Sequence, residues 1–142
     1  MSVNTLAAPP SALFASALVA AGGAAGSVLR YQLGRAVTHL AGPANTFPWG
    51  TLAINILGSL LMGALLGWLA RGPSGAANPE SLRLLIGVGL LGGFTTFSAF
   101  SAELITMLHR GQTGMALGYA AASLVAGMAA VLIGLVAVQS AA

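Results

Sequence analysis

The sequence predicts an all-α membrane protein of four transmembrane helices, the third of them broken. Three observations carry that reading. Of 142 residues, 57% are hydrophobic and 5% charged, where a soluble domain keeps roughly a quarter of its residues charged. Four apolar stretches reach the ~20 residues that a helix needs to cross hydrocarbon. The third stretch carries GGFTTFSAFS (residues 92–101) near its middle. Paired glycines, paired threonines, and Phe97 and Phe100 three apart do not make an uninterrupted apolar helix. Non-helical backbone at bilayer depth is tolerated only where protein buries it or it lines a cavity, so this segment marks a substrate or ion pathway.

The first span, residues 11–34, follows the polar, proline-marked start MSVNTLAAPP. A secretory leader carries positive charge ahead of its apolar core. The first basic residue here is Arg30, so the segment reads as a retained span. Pro43, Asn45 and Pro48 punctuate the next connection. The second span, 49–70, stops at Arg71-Gly72-Pro73, and the loop GPSGAANPE follows. The third, 81–109, is longer than one straight crossing requires. The fourth is 112–138. Residues 1–142 form a single transmembrane domain with no soluble module.

Charge excludes several classes. The acids are Glu80 and Glu103, and the five basic residues are all arginine: Arg30, Arg35, Arg71, Arg83 and Arg110. A net charge of +3 on so apolar a chain makes no nucleic-acid surface. Without Cys there is no disulfide or zinc–thiolate site. His39 and His109 flank spans without a ligand-spaced partner, so neither reads as a metal ligand. Lacking Asp, Cys and Lys, the chain has no acid–base or nucleophilic set for an enzyme.

Four spans place both termini on the side of the loop between spans two and three. That side carries Arg71 and Arg83, and the other carries Arg30, Arg35 and Arg110. Two against three is a feeble excess for the positive-inside rule. Charge alone leaves two outcomes open: insertion both ways with pairing as an antiparallel dimer, or a single orientation set by another factor. Gly22/Gly26, Gly63/Gly67 and Gly114/Gly118 are small-xxx-small pairs that let helices approach closely, favouring a tight bundle and an oligomer.

Several polar residues recur at helical spacing. Thr51, Asn55, Ser59, Gly63 and Gly67 follow one slowly turning face of span two. The Asn55 amide needs partners in apolar surroundings, either an interhelical hydrogen bond or a passing anion. Tyr119, Ser123 and Gly127 repeat the spacing on span four, where an interfacial anchor and a backbone-bonded serine are the plain alternatives. Phe97 and Phe100 share a face: their rings are core packing, or their positive edges meet a small anion. Weak neutral donors, with Ser98 among them, suit an ion that must leave as easily as it enters. Gly92-Gly93 ahead of Thr95 would free backbone carbonyls for a cation. Glu103 and Arg30 are costly charges that need each other or vestibule water.

Three segments, GGAAGSVLRY (22–31), WGTLAINILGS (49–59) and GGFTTFSAFSAE (92–103), resemble in order the signature segments of the Fluc/CrcB fluoride channel family, and Tyr119-xxx-Ser123 fits the fourth span. The resemblance implies an antiparallel dual-topology homodimer with two fluoride pathways and a structural sodium ion (Na+) at its centre. It implies passive fluoride export across the bacterial inner membrane, giving fluoride resistance to cells that take up HF. By resemblance Asn55 is the pore amide and Phe97 and Phe100 the aromatic box. Thr51, Ser98, Tyr119 and Ser123 contribute along the polar track. Gly92 and Thr95 offer sodium-holding carbonyls, Arg30 is the vestibule arginine and Glu103 the third-span acid. Ala99 replaces a frequent threonine, and Gly127 stands where a second serine can occur.

Two other classes compete. A proton-coupled exporter of the small multidrug resistance type matches in size but needs a first-span carboxylate, and residues 11–34 have none. A non-transporting membrane scaffold leaves the aligned polar faces unexplained.

Overall fold

Five helical segments carry the described residues, 10–42, 45–72 and 78–141, of the computed structural model. The proline-marked start before Pro10, Pro43 and the centre of the GPSGAANPE loop lie outside the described residues. Helix α1, Ala12–Ala41, opens where Ser11 Oγ accepts the Phe14 N–H. It continues beyond residue 34 because nothing between Arg35 and Ala41 breaks a helix. Gly42, at φ +84°, ends it, and its N–H returns to the Thr38 carbonyl. Asn45 Oδ1 then accepts the Phe47 N–H at 2.9 Å, turning the chain into α2, Trp49–Ala70.

Asn78 caps α3, residues 79–94, and Pro79 fills its first turn. From Arg83 to Leu91 this helix is wound wide, with π-type hydrogen bonds such as Gly92 N–H to the Gly87 carbonyl. Thr95 (ψ 160°) and Thr96 (φ −151°, ψ 115°) are extended. Helix resumes as α4, Phe97–His109, and Gly111 at φ +74° turns the chain into α5, Thr113–Ser140. By length and composition α1, α2, the α3–α4 pair (Pro79–His109) and α5 can each cross a membrane. No strand occurs among the described residues.

Backbone contact, not side-chain bulk, joins these helices. A Cβ at Gly22 would strike the Leu85 carbonyl, and one at Gly26 the Leu90 carbonyl, so α1 lies directly on α3. On α2, Gly63 meets the Val131 carbonyl of α5, while Gly134 of α5 meets that of Leu60. In lipid such close approach supplies the association that the hydrophobic effect cannot. Gly92-Gly93, expected to interrupt the third span, is helical, and a Cβ at Gly93 would come within 2.6 Å of the Gly23 carbonyl. The glycine serves close packing, and the extended backbone falls on the two threonines after it. Gly114 and Gly118 differ from the other small pairs. Nothing lies within 4 Å of a Cβ at either, so that face of α5 is open among the described residues.

Accordingly Gly63→Val should cost about 3 kcal/mol of bundle stability, because the new side chain meets backbone that cannot repack. Gly114→Val should cost nearly nothing. Thermal denaturation in detergent distinguishes the two.

At one end of the bundle Tyr119, Phe100, Leu52, Met107 and Ala116 form a buried cluster under Phe47. Elsewhere α5 turns Leu124, Val125, Met128, Leu132 and Ile133 outward. Such a surface suits hydrocarbon, which imposes no penalty on apolar exposure.

Candidate functional site

The extended threonine pair organises the site. Asn55 on α2 clamps Thr96 reciprocally: its Oδ1 accepts the Thr96 N–H at 2.9 Å, and its Nδ2 donates to the Thr96 carbonyl at 3.1 Å. This is the interhelical role open to that side chain, filled by backbone 41 residues away. The Thr95 N–H and hydroxyl both donate to the Leu91 carbonyl at 2.9 Å. Arg30 Nη1 donates to the Thr95 carbonyl at 3.3 Å. Thr96 Oγ1 accepts the Ala99 N–H, capping α4, and sits 3.3 Å from Ser98 Oγ. Gly58 makes room for all this, since a Cβ there would strike the Thr95 methyl.

Glu103 and Arg30 are not each other's partner. Glu103 accepts from Thr51 Oγ1 at 2.6 Å and from the Tyr119 hydroxyl at 2.7 Å. Two hydroxyls on neighbouring helices thus satisfy the carboxyl group, while Arg30 directs one of its donors to the extended backbone. Tyr119 is fully buried and no interfacial anchor. Tyr119→Phe should therefore lose about 1–2 kcal/mol, read as a lower melting temperature, because it strips one donor from a partly buried acceptor.

Phe97 and Phe100 lie 5.8 Å apart between centroids, but their surroundings differ. Phe100 is buried and packs 5.2 Å from the Tyr119 ring. Phe97 is 77% exposed.

Two cavities adjoin the threonines. The smaller, about 330 Å³, is lined by Asn55, Ser59, Thr96, Phe97, Phe100 and Ser123. Ser123 Oγ is buried there and makes no hydrogen bond of good geometry among the described residues, though it lies close enough to the Tyr119 hydroxyl to act on it. The larger, about 1260 Å³ and open, is lined by Arg30, Arg35, Thr51, Thr96, Ser98 and Glu103 among others. Thr96 borders both. The sequence-derived candidates therefore divide: Asn55, Phe97, Phe100 and Ser123 share one cavity, Thr51, Ser98, Arg30 and Glu103 the other, and Tyr119 is tied to Glu103. Sequence reasoning missed Thr96 as the clamped residue and Gly58 as the space for its neighbour. The signal for Thr96 was the unmet hydrogen-bonding need of Asn55.

Groups of three or more His, Asp or Glu able to hold a metal do not occur among the described residues. Backbone carbonyls are the available donors for a hard cation. In a continuous helix the Thr96 N–H would bond the Gly92 carbonyl. It bonds Asn55 instead, which releases the Gly92 oxygen. The Thr95 carbonyl keeps a second lone pair beside its contact with Arg30. These two carbonyls are oxygen donors of the type that a hard cation takes, the Thr95 oxygen with the Arg30 guanidinium already on it.

Residues 17–135 match the family described as CrcB-like protein, Camphor Resistance (CrcB). A protein of Novosphingobium aromaticivorans named fluoride-specific ion channel FluC is 58% identical over 121 residues, 85% of this chain and 93% of its own. A protein of Erythrobacter litoralis with the same name is 53% identical over 129 residues, 89% and 92% of the two chains. One from Caulobacter vibrioides is 47% identical over 118 residues, 83% and 90%. With its backbone-packed apolar spans and the site they enclose, this chain belongs to the CrcB-like family.

Proposed function

We infer that this protein is a fluoride-specific ion channel of the bacterial inner membrane, passing cytoplasmic fluoride outward down its electrochemical gradient and so conferring fluoride resistance. The names of its relatives support the substrate. The observation that carries the reading is the smaller cavity, on which the buried Ser123 hydroxyl, making no hydrogen bond of good geometry, meets the Asn55 amide and two phenylalanine rings. A poorly met donor in such a place is costly unless an acceptor visits it. Fluoride is a small, strong acceptor, and ring edges add weak positive potential without a fixed cation to trap it.

The larger cavity, with Arg30 and Arg35 on its wall, is a vestibule that concentrates anions. Ser98 and Thr51 border it, and the Thr51–Glu103–Tyr119 chain continues the polar track towards Ser123. The Gly127 departure has a counterpart. A side chain at 127 would meet Ser59 Oγ at 3.6 Å, so α2 supplies a hydroxyl where α5 lacks one.

The working unit is an antiparallel dual-topology homodimer built around the broken third span. Arg30 supports dual topology, because its bond to Thr95 puts it beside the middle of the Pro79–His109 span and not in a loop. Without it the arginine count is two against two, Arg71 and Arg83 facing Arg35 and Arg110, and charge gives no orientation. At the dimer centre the Gly92 and Thr95 carbonyls of both copies would hold a structural sodium ion, whose charge ties the two broken helices together.

The test is growth. In a bacterium stripped of its own fluoride exporter, expression should restore growth in fluoride at acid pH, where HF enters. Unchanged sensitivity despite membrane-inserted protein would refute the reading.

A further inference from the structure

The Asn55 clamp has a second consequence, which rests on the sodium reading above. We propose that Asn55 is a positioning residue for the cation site: by taking the Thr96 N–H on its Oδ1, it keeps the Gly92 carbonyl free for sodium. Three observations carry the inference. The Thr96 N–H is the donor that a regular helix would direct onto Gly92, four residues earlier, and Asn55 accepts it at 2.9 Å. The Asn55 Nδ2 bond to the Thr96 carbonyl fixes the same peptide from its other end, so the extended conformation is held on both sides. The Leu91 carbonyl accepts two donors from Thr95, so the next carbonyl, Gly92, is the one whose regular donor has gone to Asn55.

Asn55 also lines the anion cavity. Its amide has two N–H groups, and the clamp occupies one of them. One side chain therefore touches the anion path and sets the geometry of the cation site, and loss of the amide should damage both. Outer groups that orient metal ligands affect affinity by roughly 10–100-fold, and a backbone carbonyl depends on such support as a side-chain ligand does.

The test uses purified full-length protein and reads sodium affinity as the shift in melting temperature on titration with NaCl, with N-methylglucamine chloride holding ionic strength constant. Asn55→Ser removes the clamp, since its shorter hydroxyl turns to its own helix backbone. Asn55→Asp keeps an oxygen that can accept the Thr96 N–H. The sodium midpoint should rise about tenfold or more in Asn55→Ser and stay within about threefold of wild type in Asn55→Asp, while fluoride flux falls in both.

Equal sodium midpoints in wild type and Asn55→Ser, with flux lost, would make Asn55 a pore amide only and overturn the proposal. Should Asn55→Ser yield no dimer at any sodium concentration, Asn55→Asp decides. A dimer with a wild-type sodium response supports the acceptor role, and failure of both variants overturns it. Absence of any sodium response in the wild type would instead defeat the sodium reading on which the inference rests.

Discussion

Phe97→Ile should leave the protein folded and close the path. The ring is 77% exposed in the protomer, so its replacement should change protomer stability by no more than about 0.5 kcal/mol. Flux per dimer should fall at least about tenfold, the factor that a loss of about 1.4 kcal/mol in ion stabilisation produces. Phe100→Ile should do two things at once. Phe100 packs on Tyr119 in the buried cluster, so repacking costs about 1–2 kcal/mol besides any loss of flux. Liposome efflux normalised to dimer recovered on size exclusion separates these effects. Near-normal flux per dimer in Phe97→Ile would remove the aromatic edge from the pathway and leave Asn55 and the hydroxyls to form it.

A second large effect is expected from charge placed in loops. With Arg30 beside Thr95, the remaining arginines balance at two against two. Two arginines added within residues 72–79 should therefore commit every copy to one orientation. That variant should lose nearly all activity when expressed alone. A copy carrying two added arginines within residues 42–48 should fail likewise, and co-expression of the two should restore fluoride resistance. Full activity from either biased copy alone would exclude the antiparallel dimer.

The spans and the polar spacing were legible because both are local. Hydropathy marks where a helix can cross, and four-residue spacing marks which side chains share a face. Partner choice was not local. The sequence offered Asn55 two roles and left them even, because the Thr96 peptide that fills one of them lies 41 residues on and owes its free backbone groups to its extended conformation. Arg30 and Glu103 looked like complementary charges, yet depth and helix direction gave Arg30 a carbonyl and Glu103 two hydroxyls. The glycine pairs shared one pattern but not one use. Gly22 and Gly63 meet backbone of a neighbouring helix, whereas Gly114 and Gly118 meet nothing among the described residues. A small-xxx-small spacing states that a close contact is sterically possible, and the neighbour's path decides whether it is made.

Phe97 and Phe100 show the same limit. Helical spacing puts both on one face, but only Phe100 finds Tyr119 behind it. The ring left outside the core is the better pathway candidate.

Purified protein reconstituted into liposomes loaded with potassium fluoride provides the most direct measurement. Valinomycin carries the compensating potassium, and an external electrode reads fluoride. Rapid fluoride release, with no comparable chloride release from matched chloride-loaded vesicles, is the predicted result. Fluoride retention by vesicles that contain folded protein, or equal release of both halides, would contradict the account.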